Sequence, residues 1–278
     1  MSSVSKDEGS ANRIVLCADD YGYSPGVSRG IRELLEHERL SATSCMVVFP
    51  EFERDGPLLK PFLGRADIGL HFTLTSERSI GSVAWEAHVH PPPRARMVAE
   101  VESQVMKFTA VIGRPPDYID GHQHVHILPV VRDAVVQTAR RIGAYVRNTM
   151  DPIGIAMCRR PGPLESAYLA TASQKLAALA RASGVPTNRG FRGVRSFREK
   201  EPFRVLFRRM IRNARDGCLV MCHPGYADPL LAGRDPVQEV REGELRYLAG
   251  PDFPQDLAAE RVILSRLADA LRGQQITL

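Results

Sequence analysis

Arg13-Ile-Val-Leu-Cys-Ala-Asp-Asp-Tyr-Gly22 runs from an apolar stretch into two adjacent carboxylates, Asp19 and Asp20, and then into a turn. The apolar stretch reads as a buried strand. Two neighbouring carboxylates repel, and burying either costs several kcal/mol unless a cation compensates. A divalent metal is a common compensation. Matching ligands lie downstream: His71 in Gly69-Leu-His-Phe-Thr-Leu-Thr75, and three histidines in Asp120-Gly-His-Gln-His-Val-His126. The pattern suggests a mononuclear metal hydrolase.

Working outward, strand-like and helix-like segments alternate. Ser24-Pro25 supplies an N-cap and a first-turn proline for a helix to about residue 37. Strands are expected at 13–18, 42–49, 67–72, 118–120, 144–147 and 217–222, with a last one at 275–278. Residues 76–96 read as a long loop holding three prolines. Further helices are expected from about 97, then at 129–142, 167–183, 239–248 and 255–272. Repeated strand–helix units imply parallel strands with helices outside. The predicted fold class is α/β, a TIM-like (β/α) barrel variant, complete or open. Asp19-Asp20, His71, the 120–126 cluster and His223 each close a predicted strand, the rim where barrel enzymes build their sites.

Composition narrows the class. The chain has 278 residues, 44% hydrophobic and 25% charged, and fits one globular domain over 12–278. Residues 1–11 are polar, lack the apolar core of a secretion signal, and are expected to be a disordered lead-in. No apolar run approaches the roughly 20 residues of a membrane span. Five scattered cysteines form no Cys-x-x-Cys pair, which favours a reducing cytoplasm. Cys17, Cys45 and Cys218 lie in apolar runs and are expected to pack as small hydrophobes. The net charge of +5 is concentrated between residues 189 and 215, where ten Lys/Arg stand against two Glu. A solvated basic helix face is the first reading, and an anionic substrate or membrane surface the sharper one. No nucleic-acid module accompanies the charge.

The chemistry follows from residue types. One carboxylate and two imidazoles leave open positions on a metal, and the ion acidifies a bound water and polarises a carbonyl. The second aspartate can then take the water's proton. In a strand, neighbours point to opposite faces, so both aspartates reach one pocket only at the strand end. Among His122, His124 and His126, a two-residue spacing in a strand places the rings about 7 Å apart, so one or two ligate. The others orient ligands or contact substrate, with Asp120 as an orienting partner. His223, exposed by Pro224-Gly225, reads as a general acid, a substrate contact or a packing residue. Arg147 reads as a carboxylate-orienting or substrate-binding group, or as a surface ion pair. Trp85 is placed to stack on a sugar ring, while His37, His88 and His90 receive no role.

These motifs resemble the YdjC-type (ChbG/HpnK-like) carbohydrate deacetylases, distantly akin to the NodB-type polysaccharide deacetylases. The specific elements are residues 18–22, Gly69-Leu-His71 and 120–126, with weaker echoes at 188–193, 222–225 and 241–245. The resemblance implies a barrel variant, a divalent ion (Mg²⁺, with Zn²⁺ as the other candidate) and removal of acetyl from an N-acetylated sugar or glycoconjugate. It matches Asp20 to the metal carboxylate, Asp19 to the general base, and His71 and His122 to the metal imidazoles. Gly121, where relatives often carry Ser, departs without disturbing ligation. A homodimer is compatible. The competing readings are a phosphoesterase or amidohydrolase-type barrel, in which a His-x-His opens the chain, and a non-catalytic glycan-binding protein.

Overall fold

The computed structural model describes residues 11–150, 163–195, 201–235 and 238–272. Residues 1–10 of the expected lead-in, the strand at 275–278, Cys158 and part of the basic run lie outside them.

Among the described residues, eight parallel strands form the sheet: β1 (Asn12–Tyr21), β2 (Ala42–Cys45), β3 (Asp67–Phe72), β4 (Tyr118–Gly121), β5 (Tyr145–Val146), β6 (Phe191–Arg192), β7 (Leu219–Cys222) and β8 (Val262–Leu264). Seven follow the order β5-β4-β3-β2-β1-β7-β6, and β8 pairs with the first residues of β1. Thr187, just ahead of β6, bridges Val146 of β5, so the sheet curls into a barrel joined at that seam by one bridge. Helices α1 (Pro25–Glu36), α2 (Pro50–Asp55), α3 (Ile80–Val89), α4 (Arg94–Ile112), α5 (Val131–Ile142) and α6 (Pro163–Ala182) cover the first part of the barrel. Helices α7 (Phe203–Ile211), α8 (Pro229–Arg234), α9 (Gln238–Ala249), α10 (Asp252–Ala259) and α11 (Leu267–Arg272) follow.

Strand periodicity separates two cores. Ile14, Leu16 and Ala18 join the large core between sheet and helices, whereas Val15 and Cys17 join a smaller one with Ala42, Tyr118, Tyr145, Phe191, Leu219 and Met221. The smaller set fills the barrel interior. Alternation by two carries that inward face upward to Asp19, His71, Asp120 and Arg147. Both faces of β1 are buried from Ile14 onward, as a parallel strand requires.

Local signals set several boundaries. Ser24 caps α1 by accepting the Val27 N–H, with Pro25 in the first turn. Gly113 and Gly143 end α4 and α5 in the left-handed conformation. Three expectations need correction. Residues 76–96 hold α3, because Ser79 caps a helix there by accepting the Ser82 N–H. The second strand stops at Cys45, where Pro50 soon opens α2. The helix expected at 255–272 is α10, β8 and α11, since Val262–Leu264 pairs with β1.

The basic stripe is both solvated and paired. Arg204 meets Asp252 and Asp256, while Arg208 and Arg212 face Asp256 and Glu260 at 3.6–4.0 Å. This aligns α7 with α10, although exposed pairs of this kind add little stability. Among the described residues no helix is long and apolar enough to cross a membrane.

Candidate metal and catalytic centre

Asp20 reaches the barrel mouth through its backbone. The β1–β2 register shifts between Ala18 and Tyr21, and Asp20 sits at φ +73°. Such a left-handed conformation is uncommon outside Gly, Asn and Asp. It turns Asp20 toward the same mouth that Asp19 reaches by strand alternation, as bulges beside active sites commonly do.

Three donors then meet. Asp20 Oδ1 lies 3.4 Å from His71 Nε2 and 3.2 Å from His122 Nδ1, and the ligand atoms of all three lie within 4.8 Å of one another. Asp20 and His71 are buried and His122 is half-buried. One carboxylate and two imidazoles aimed at one point suit a divalent cation, with room left for further ligands. A second triad, Asp19, His71 and Asp120, is equally compact. There Arg147 Nη2 lies 2.6 Å from both Asp19 Oδ1 and Asp120 Oδ2, so a guanidinium already supplies the positive charge.

Two arginines divide the two aspartates. Arg147 grips both oxygens of Asp19, at 2.7 and 2.6 Å. Arg241 donates to Asp20 Oδ2 at 2.7 Å and to Asp235. Burial alone would raise the Asp20 pKa, but the charge of Arg241 and the bonds from His122 and His71 hold it well below the carboxylate range. Asp120 is held at about 2: burial opposes ionisation, and Arg147 and His71 overcome it. His71 Nδ1 pairs with Asp120 Oδ1 at 2.6 Å. Burial disfavours its charged form, but Asp120 and Asp19 push it up to about 10. The Nδ1–H donated to Asp120 leaves Nε2 facing Asp20 and His122, the orientation a metal-binding imidazole needs.

The histidine cluster is not a strand. β4 ends at Gly121, and a 3-10 turn over His122–Ile127 follows, with Gln123 at φ +51° and His124 at φ +61°. The three rings therefore do not keep the strand spacing of about 7 Å. His122 faces Asp20. His124 lines the cavity, its ring beside those of His126 and Phe191. His126 is fully buried beneath it and donates from Nε2 to the Arg147 carbonyl at 3.1 Å. Gly121 matters more than its size suggested: a Cβ there would fall 2.8 Å from His126 N and 3.0 Å from its Nδ1.

The surface-pair reading of Arg147 is overturned, since its side chain is fully buried among Asp19, Asp120, Cys17 and Ser44. Cys17 is more than a small hydrophobe: its Sγ contacts Arg147, Asp19 and Tyr118. His223 closes β7 and lines the cavity, with its backbone N–H on Glu244 Oε2 at 2.6 Å. Burial pulls its pKa down. Trp85 lies exposed on α3 beside His90, while Ile80 and Ala84 of that helix line the cavity.

The cavity measures about 570 Å³ and opens over Asp19, Asp20, His71, His122 and His223. Sequence reasoning missed Arg241, Asp235, Arg195 and Tyr23 in its wall. Arg241 and Glu244 sit three apart on α9, so one helical face delivers a cation to Asp20 and a carboxylate to the His223 backbone. The only signal for them was the echo at 241–245, whose partners are distant in sequence.

A family model described as YdjC-like protein matches residues 13–259. Chitooligosaccharide deacetylase of Enterobacter sp. (strain 638) is 30% identical over 147 residues, 48% of this chain and 58% of that protein. Its counterpart from Proteus mirabilis (strain HI4320) is 32% identical over 148 residues, 46% of this chain and 57% of that protein. The chain thus spans somewhat over half the length of these curated relatives. A solved structure from Enterococcus faecalis V583, provisionally named for cellobiose-phosphate cleavage, superposes over 94% of this chain and 99% of its own. The TM-score is 0.70 at 19% identity, a likeness of fold.

Proposed function

Because the chain belongs to the YdjC-like family, we propose that its barrel mouth removes an acetyl group, as acetate, from the nitrogen of an N-acetylated amino sugar. The observation that carries this is the meeting of Asp20, His71 and His122 at one point, with a second aspartate beside them. A divalent ion held by those three residues would supply Lewis acidity toward the acetamide and acidify a water molecule. Mg²⁺ is the ion the resemblance implies. The two imidazoles suit Zn²⁺ better, because Mg²⁺ favours oxygen ligands.

The chain's own residues do the rest. Asp19, aimed by the Arg147 fork, takes a proton from the attacking water at Oδ2, which keeps a lone-pair direction beyond the fork, while Oδ1 also meets Cys17 Sγ. Collapse of the tetrahedral carbon breaks the C–N bond. The amine needs one proton, and His223 delivers it. Burial pulls the pKa of that imidazole down, and the proton it delivers is the one Asp19 took from the water and passed on. His124 and Gln123, on the cavity wall, contact the sugar. Asp120 fixes His71, and His126 anchors the Arg147 backbone.

The test is a panel of N-acetylated saccharides, chitooligosaccharides included, scored for acetate with and without chelator and after re-addition of Zn²⁺ or Mg²⁺. Chelator-sensitive acetate release is expected. Phosphate release from sugar phosphates with no acetate from any member would overturn the reading.

A further inference from the structure

Beneath the centre lie Tyr118, Ser44 and Cys17, buried polar groups to which the proposed chemistry gives no role. Tyr118, the first residue of β4, is fully buried in the barrel interior. Its ring stacks on Tyr145 with centroids 4.8 Å apart and planes 16° apart. It fits because position 69 on β3 is glycine: a Cβ there would lie 2.3–2.5 Å from three Tyr118 ring carbons. The socket sends the phenol upward, where the hydroxyl lies 2.8 Å from Ser44 Oγ and 2.9 Å from Cys17 Sγ.

Proton counting gives the contacts a direction. Ser44 has one hydroxyl proton and donates it to Asp120 Oδ2 at 2.6 Å. Across the 2.8 Å contact, Tyr118 must therefore be the donor. The chain runs Tyr118 O–H to Ser44 Oγ, and Ser44 O–H to Asp120. The other oxygen of Asp120 accepts from His71 Nδ1. On the second branch, Cys17 Sγ accepts from Arg147 Nη2 at 3.0 Å and lies 3.4 Å from Asp19 Oδ1.

From this geometry we infer that Tyr118, seated in the Gly69 socket, is a positioning residue that sets the Ser44 hydroxyl on Asp120 and thereby fixes the His71 imidazole. The inference rests on the reading of His71 as a metal ligand. Outer partners of this kind tune ligand orientation and affinity, and buried polar networks specify one geometry only when every member is satisfied. Tyr118→Phe keeps the ring, its stacking and its socket, and removes only the hydroxyl, with its bond to Ser44 and its contact with Cys17.

The experiment titrates Co²⁺ into metal-free protein and follows the visible absorbance. Tyr118→Phe is expected to bind Co²⁺ about tenfold more weakly with an altered ligand-field spectrum. Ser44→Ala should lose at least as much, and Tyr118→Phe combined with Ser44→Ala no more than Ser44→Ala alone, because the two act in series. Tyr145→Phe is the control. It strips a hydroxyl from the same ring pair, one directed at Asp67 rather than the centre, and should bind as the parent does. A second readout needs no metal: the downfield proton resonance of His71 Nδ1–H, identified by its absence in His71→Gln, should shift or broaden in Tyr118→Phe and stay in place in Tyr145→Phe. An unmoved resonance, or fully additive losses in the double variant, overturns the assignment. If the parent protein binds no Co²⁺, the metal reading falls, and the resonance alone decides the role of Tyr118.

Discussion

Arg241 Nη2 donates to Asp20 Oδ2 at 2.7 Å across 221 positions of sequence, so Asp20 turns only Oδ1 toward His71 and His122. One buried guanidinium thus compensates one oxygen of the carboxylate, and the other faces the two imidazoles. Arg241→Gln would strand Asp20 and Asp235 without their partner. Removing one member of a buried pair costs about 3–5 kcal/mol, and urea unfolding of metal-free protein should show a loss of that order. A divalent ion should restore part of it by replacing the missing charge. An unchanged midpoint in the metal-free variant would mean that the pair carries no such weight.

The two aspartates should separate by experiment. Asp19→Asn is expected to bind metal as the parent does and to lose about 10²–10⁴ in kcat, the range for a general base. Asp20→Ala and His71→Ala should lose the metal, measured by elemental analysis after dialysis. Full turnover in Asp19→Asn would remove the proposed base.

Acid stability should bear the mark of His126. Burial holds its pKa at about 4 in the folded chain, with Asp120 opposing and Arg147 assisting, against about 6.5 when unfolded. Protonation would also place a second N–H at Nδ1, which is buried without a partner. As pH falls below 6.5 the unfolded chain takes the proton first. The contribution of neutral His126 is therefore complete above 6.5 and is lost toward pH 4, at up to about 1.4 kcal/mol per pH unit. Urea midpoints of metal-free protein at pH 7, 6 and 5 should fall accordingly, and His126→Gln should flatten the slope. An equal slope in that variant would assign the effect to other groups.

Gly69→Ala should be poorly tolerated. The added methyl meets the Tyr118 ring, which Tyr145 stops from moving aside, and overpacking of this kind costs about 3 kcal/mol. Gly233→Ala, whose Cβ would meet nothing within 4 Å, is the comparison and should unfold near the parental midpoint. Equal stability of the two variants would show that the barrel interior yields more readily than its close packing implies.

Much of the architecture was legible because strand and helix periods are local. The apolar run ending at Asp19-Asp20, the Ser24-Pro25 cap, and the placement of His71, Asp120 and His223 at strand ends all follow from short-range pattern. β8 and β6 escaped because three- and two-residue strands carry almost no periodicity, and α3 because its exposed face resembles loop composition. Arg147 illustrates the limit best. A lone arginine at a strand end reads equally as a surface pair, and only the carboxylates of β1 and β4, closing around it, make it the centre of a buried network.

By itself, then, the chain determined which residue types reach the barrel mouth, because alternation by two along each strand is set by covalent geometry. Tertiary structure decided how they are arranged there. The left-handed turn at Asp20, the two arginines that hold neighbouring aspartates apart, and the placing of His122 rather than His124 or His126 beside Asp20 all depend on distances between segments far apart in sequence. Charges and hydrogen bonds act through space, over a few ångströms, and that separation is fixed only once the strands have closed.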